Sequence, residues 1–197
     1  MGTQWTEEEI SLRKKALRTE MRLKWEALSD EAAAISGERI ARSVLESEWY
    51  RQAKSLFIYV SVGKEPDTRA LIRAALRDGK EVYVPRCGKK PVMDAVRILS
   101  PDGLRPGPFG IPEPAAGGPC AQRVDLAVVP CLSVSPKGSR LGHGGGYYDA
   151  FLSEHPCRTV CLCHQALMSR DIPAGSLDVP VDAVAYGEGV IPCDRGC

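Results

Sequence analysis

Residues 139–149, SRLGHGGGYYD, set four glycines (Gly142, Gly144, Gly145 and Gly146) between a cation, Arg140, and an anion, Asp149. Glycine loses the most conformational freedom on folding, so such a cluster marks a backbone shape that other residues cannot adopt. An apolar run, VDLAVVPCLSV (124–134), precedes the loop, and YYDAFLSEH (147–155) begins a helix after it. Strand, glycine loop and helix in that order present backbone N–H groups and a helix N-terminus to an anion. In an open α/β sheet the loop also falls at the carboxyl end of a strand, where ligands bind. Arg140 adds a forked donor suited to phosphate oxygens, and Asp149 a carboxylate able to hold a divalent metal beside them. The chemistry described is a nucleotide-phosphate site with Mg2+. A tight structural turn, with a solvated arginine and a helix-capping aspartate, fits the same composition.

Neither common phosphate-loop pattern applies. Walker A needs a lysine followed by Ser or Thr after its second glycine, and the dinucleotide pattern needs glycine where Tyr147 stands. Other segments could contribute. GKEPDT (63–68) follows an apolar run and places Glu65 and Asp67 past a second strand, although Asp67-Thr68 also reads as a helix N-cap. FGIPEP sets Phe109 among turn residues, and the tail SLDVPVDAVAYGEGVIP sets Asp178 and Asp182 around a short extended segment.

The elements that must position these residues follow from the hydrophobic periods. Thr6-Glu7-Glu8-Glu9 has the form of a capping box. Ile10, Leu17, Met21, Trp25 and Leu28 then fall on one helical face. A second helix restarts at Ser29-Asp30 and carries Ile35, Ile40, Val44 and Leu45. Beyond it the period changes. SLFIYVS (55–61), EVYVPR (81–86), VMDAVRIL (92–99) and RTVCLC (158–163) read as further strands, and 67–77 as a helix. Residues 100–122, rich in Pro and Gly, read as one long loop. The alternation predicts a single α/β domain over 1–197. Its mostly parallel central sheet is flanked by helices, a Rossmann-like three-layer arrangement, with two N-terminal helices.

Composition narrows the classes. A net charge of +1 gives no ground for nucleic acid or an anionic membrane as the main partner. No apolar run approaches the roughly 20 residues that span a bilayer. MGTQWTEEEISLRKK is acidic and then basic, without the apolar core of a signal peptide, so a cytoplasmic protein is expected. The eight cysteines contain no Cys-x-x-Cys pair and read as scattered, mostly buried, reduced thiols rather than a zinc site.

Taken together, VDLAVVPCLSVSPKGSRLGHGGGYYDAFL resembles the signature of the 5-formyltetrahydrofolate cyclo-ligase (5,10-methenyltetrahydrofolate synthetase) family. The likeness runs nearly end to end. It takes in Lys14-x-x-Leu17-Arg18, Glu65-x-Asp67-Thr68, Val84-Pro85-Arg86, Leu104, Gly107, the GIPEP run, Gln165 and Asp178-x-Pro180-Val181-Asp182. The resemblance implies ATP- and Mg2+-dependent conversion of 5-formyltetrahydrofolate to 5,10-methenyltetrahydrofolate, with ADP and phosphate released, by a monomer that binds neither nucleic acid nor membrane. Carried over by position, Lys14 and Arg140 are the catalytic cations. The ATP site comprises Lys14, Arg18, Arg140, Leu141, Gly142, Gly144, Gly145, Gly146 and Tyr147. Val60, Glu65, Phe109 and Tyr148 contact the folate, and Asp149 and Asp182 hold the metal.

The reaction asks for these residue types. A formamide oxygen leaves poorly, and phosphorylating it makes it a phosphate leaving group, so that N10 can close the ring. Phosphoryl transfer needs positioning and charge neutralisation rather than a nucleophilic Ser or Cys. Two departures stand out. CLSVS (131–135) replaces a family run with an aromatic and an acid, which bears on the folate side of the site. His143 fills a position that varies in the family, where Tyr, Arg and Met are familiar, and reads as a surface residue. Three other classes remain open: activation of a different amide or carboxylate, a non-catalytic folate or nucleotide binder, and a structural zinc protein.

Overall fold

A computed structural model describes residues 5–115, 118–187 and 189–194. The chain opens with α1 (Glu7–Ala27), whose Thr6 hydroxyl accepts from the Glu9 N–H while the Glu9 carboxylate accepts from the Thr6 N–H. Met21, with Leu17 and Trp25 beside it, packs on Leu132, Leu141 and Ile172. α2 (Asp30–Glu46) buries Ala33, Gly37, Ile40, Ala41 and Val44, whereas Ile35 is 48% exposed. The expected apolar face is therefore rotated toward small residues. The reason is a close approach: a Cβ on Gly37 would stand 3.2 Å from the Asp67 nitrogen. The short α3 (Glu48–Gln52) leads into the sheet.

The main sheet contains β1 (Ser55–Ile58), β2 (Glu81–Cys87), β3 (Met93–Ile98), β6 (Leu126–Pro130), β9 (Arg158–Leu162), β10 (Ala183–Ala185) and β11 (Val190–Pro192). Their order is β11-β10-β9-β6-β1-β2-β3. The five central strands pair in parallel, and β3 and β11 close the edges antiparallel. The tail thus supplies two strands where the sequence suggested only a short extended segment. Alternate residues of β1 face opposite layers. Leu56 and Ile58 join a core with Ile40 and Val44 of α2 and Leu71, Ile72 and Ala75 of α4 (Arg69–Arg77). Phe57 joins the other core with Phe151 and Leu152 of α5 (Tyr147–Glu154). This is the expected three-layer α/β fold.

Two regions differ from expectation. The run 124–134 is not one strand. β6 stops at Pro130, and Ser133–Val134 (β7) turns away to pair with Arg140–Leu141 (β8). That break lets Leu132 and Leu141, both essentially unexposed, fit beneath α1. The long loop is also ordered by its own ladder, β4 (Arg105–Pro106) against β5 (Pro112–Glu113), and is tied to β2 where the buried Glu113 carboxylate accepts the Cys87 N–H at 3.0 Å.

One side chain fixes the turn after β1. Thr68, fully buried, donates to the Tyr59 carbonyl at 2.7 Å and accepts from the Ser61 N–H at 3.1 Å. Thr68→Val keeps the shape but strands both backbone groups in the core. It is expected to lower stability by about 2 kcal/mol, read from the midpoint of chemical denaturation at unchanged slope.

Candidate functional site

The loops after β1, β2 and β6 gather at the carboxyl edge of the sheet, as the parallel pairing requires. Gly144 (φ 98°) and Gly146 (φ 76°) occupy backbone regions that side chains rarely adopt, so glycine there is a geometric need. Gly146 caps α5 without a side-chain bond, leaving the first-turn N–H groups of that helix uncapped.

Three cations converge on this loop. Arg18, reaching up from α1, donates through Nε to the Gly142 carbonyl at 2.9 Å. Its guanidinium would lie 3.7 Å from a Cβ on Gly144. Arg140 has a side chain only 3% exposed; Nη2 binds Asp149 Oδ1 at 2.8 Å, and the guanidinium carbon sits 5.6 Å from the centre of the Tyr148 ring. Lys14 is paired with Asp178, which also accepts from the Gly175 N–H. Asp178 and Asp149 both act electrostatically on Arg18, so five charges form one cluster. On the far side, Lys90 of the β2–β3 hairpin donates to the Gly144 carbonyl at 3.3 Å. The Arg140 Nε is buried without a partner, the single such side-chain atom among the described residues.

The folate candidates lie beside this cluster. Val60 is buried just past β1. Glu65 accepts from the Val62 N–H at 2.9 Å and is 11% exposed; burial pushes its carboxyl up to about 7 against that one lowering bond. The Tyr148 ring stands 6.3 Å from that of Phe57, and burial, followed by Glu65 and Cys87, raises its hydroxyl above the usual range. Tyr148 therefore feels both Glu65 and Arg140. Phe109 belongs to the 3-10 turn Pro108–Gly110, and its side chain lies outside the described part of the structure.

Several expected roles are redistributed. Leu141 is an anchor under α1 and offers a nucleotide no side-chain surface. Tyr147 opens α5, its ring 2.8 Å from where a Cβ on Gly145 would stand. Asp149 and Asp182 are not brought together. Asp149 sits in the first turn of α5, its Oδ1 also accepting from the Val179 N–H at 3.3 Å. Asp182 sits where β9 and β10 begin, its Oδ2 accepting both the N–H and the hydroxyl of Thr159 at 2.8 Å. Among the described residues no three His, Cys, Asp or Glu side chains group as a metal site.

His143, read from sequence as a surface residue, faces Glu65 with Nε2 3.9 Å from Oε1. The CLSVS run is buried throughout and braces the loop from beneath, Ser133 donating to the Leu167 carbonyl at 2.6 Å. Cys131, Cys161 and Cys163 are buried together, but Cys120 is exposed, so the thiols are less uniformly buried than expected; Cys197 lies outside the described residues. A separate groove lined by Arg39, Arg42, Trp49 and Val190 shares no residue with the glycine loop.

Asp178 is the residue that sequence reasoning left without a role. Its charge fixes the ammonium of Lys14, a side chain 13% exposed. Asp178→Asn keeps the size and frees the cation; on the nucleotide reading of the loop it is expected to raise the nucleotide KM about tenfold with the melting temperature little changed. Equal KM values would leave Lys14 positioned by other means.

Comparison with known proteins shows the family. The model of the 5-formyltetrahydrofolate cyclo-ligase family matches residues 10–187. A Caenorhabditis elegans protein named probable 5-formyltetrahydrofolate cyclo-ligase is 34% identical over 199 residues, covering 90% of this chain and 95% of its own. A Schizosaccharomyces pombe protein of the same name is 30% identical, covering 92% and 98%. The NMR structure of Aquifex aeolicus 5,10-methenyltetrahydrofolate synthetase aligns with a TM-score of 0.82 at 27% identity, over 93% of this chain and 94% of that one. With its matched span, its relatives and its glycine loop in accord, the chain belongs to the 5-formyltetrahydrofolate cyclo-ligase family.

Proposed function

We propose that residues 1–197 form one catalytic domain that converts 5-formyltetrahydrofolate and ATP to 5,10-methenyltetrahydrofolate, ADP and phosphate, with Mg2+. The observation that carries this is adjacency. A glycine loop contacted by Arg18 and Lys90, and containing Arg140, with Lys14 joined to the cluster through Asp178, lies by the Tyr148 ring, which also feels a buried carboxylate, Glu65. One half suits a phosphate chain, and the other suits the N–H donors of a pterin.

Lys14 and Arg18 reach the phosphates from α1, and the first-turn N–H groups of α5 meet them from the loop. Arg140 carries a fixed charge where negative charge builds as the γ-phosphoryl group passes to the formyl oxygen. Glu65 accepts from the pterin N–H groups, while Val60 and Tyr148 line the ring's pocket. N10 then attacks the formyl carbon, and the phosphorylated oxygen leaves as phosphate. Asp149 fits a hydrated Mg2+. Both of its protein bonds fall on Oδ1, so Oδ2 would be the atom to hold the cation. Bound there, the metal neutralises phosphate charge. Asp182 would have to leave Thr159 to join it.

We place the reaction in the cytoplasm, carried out by a monomer on small molecules. Among the described residues no helix is long and apolar enough to cross a membrane. The test uses 5-formyltetrahydrofolate labelled with 18O in the formyl group. The expected result is one labelled oxygen in the released phosphate for each methenyl product formed. Product accompanied by unlabelled phosphate would overturn the phosphoryl-activation step, and labelled folate recovered intact would overturn the activity.

A further inference from the structure

His143 stands at the boundary of the two half-sites. It lies within the glycine loop, between the Gly142 carbonyl held by Arg18 and the Gly144 carbonyl held by Lys90. Arg22 and Arg18 of α1 face it from one side, and Glu65, in the turn after β1, faces it from the other. The 3.9 Å between Nε2 and Oε1 is ion-pair range but beyond a hydrogen bond. With 56% of its side chain exposed, the imidazole has room to close that gap.

We propose that His143 couples nucleotide to folate: a phosphate chain in the glycine loop draws a proton from the Glu65 carboxyl onto the imidazole, and the imidazolium then holds Glu65 as the carboxylate that folate N–H groups require. The proposal rests on the nucleotide reading of the loop. One O–H bond breaks and one N–H bond forms, so the pair's net charge is unchanged. Without phosphate, burial and then the Arg22 and Arg18 guanidiniums hold the imidazole below its ordinary range, and Glu65 retains its proton up to about 7. Phosphate oxygens offset the two guanidiniums and reverse the preference. Nucleotide and folate then strengthen each other's binding, as linkage demands.

The chain has three histidines, so their ring resonances are separable by NMR, and His143→Asn assigns the one in question. The intact protein is titrated between about pH 5.5 and 8.5, the range of histidine charge change, with and without Mg2+ and a non-hydrolysable ATP analogue. His143 is expected to titrate higher by about one pH unit or more when the analogue is bound, with His155 and His164 unmoved. At about pH 6, where Glu65 still holds its proton in the absence of nucleotide, the analogue should tighten 5-formyltetrahydrofolate binding about fivefold or more in the wild type, and much less in His143→Asn. If calorimetry shows the analogue bound while the His143 titration stays put, the coupling is overturned and the nucleotide site stands. If the analogue does not bind at all, the nucleotide reading fails and takes the coupling with it.

Discussion

Arg140→Ala is expected to lower kcat about 10^3-fold, and Arg140→Lys to recover little of it. The guanidinium is buried to 3% exposure, grips Asp149 at 2.8 Å and lies over Tyr148. It is thus a fixed, water-excluded charge, and the proposed mechanism sets the transferring phosphoryl group against it. Lysine keeps the charge but cannot hold Asp149 and a phosphate oxygen in one plane. The loss should therefore remain about 10^2-fold in that variant. The alanine variant also leaves Asp149 without its partner and is expected to melt earlier. The lysine variant, with its charge retained, separates lost catalysis from lost stability. Wild-type kcat in Arg140→Lys would mean that any nearby cation suffices.

Glu65→Gln is expected to act with opposite signs on stability and on binding. In the folded protein burial raises this carboxyl from 4.5 to about 7, so the native state holds the proton more tightly than the unfolded chain does. The wild type therefore loses stability as pH rises from about 4.5 to 7 and regains none above that. Glutamine carries no such charge. The variant should match the wild type near pH 4 and exceed it at pH 8 by on the order of 2 kcal/mol, read by denaturant titration at both values. Folate binding should move the other way. In the proposed folate role it is the ionised carboxylate that accepts from the pterin N–H groups, so wild-type affinity measured without nucleotide should improve as pH rises through about 7. In Glu65→Gln that inflection should vanish, and affinity at pH 8 should fall about 100-fold. A variant that bound folate normally at pH 8 would remove Glu65 from the site.

The place of the glycine loop was legible because its residues are local in sequence. Gly142 to Gly146, Arg140 and Asp149 sit within one short run, and the strand–loop–helix pattern dictates where that run falls in an α/β sheet. Glu65 read only as an acid past a strand end, and its folate role came from the resemblance. What the sequence hid depends on contacts between distant segments. Asp178 matters because it meets Lys14, 164 positions away, and no spacing rule reaches that far. His143 is exposed, as read, but nothing in its neighbours names its contact with Glu65, 78 positions earlier (143 minus 65). Asp182 was assigned by resemblance beside Asp149, but its register with Thr159 turns it toward the start of β9.

The fold shows the same division. The short apolar run 55–61 pointed to a buried strand and 158–163 to a further one, and β1 and β9 contribute to both cores. The face of α2 was misjudged because Ile35 outweighed Ala33, Gly37 and Ala41. Small residues spaced by four signal a backbone in close contact, a cue that apolar periodicity undervalues. The apolar run 124–134 concealed a break because both halves are buried, β6 in the sheet and β7 beneath α1. The CLSVS departure lies in that buried support rather than on an exposed folate-facing wall.

The central claim is that ATP in the glycine loop drives ring closure on the neighbouring folate. The most direct measurement follows methenyl absorbance from 5-formyltetrahydrofolate, with ATP and Mg2+ supplied together and each omitted in turn. The account predicts growth with both present, a flat trace without ATP, and a flat trace for Arg140→Ala. Equal growth with and without ATP, or no growth from well-folded wild-type protein, would contradict it.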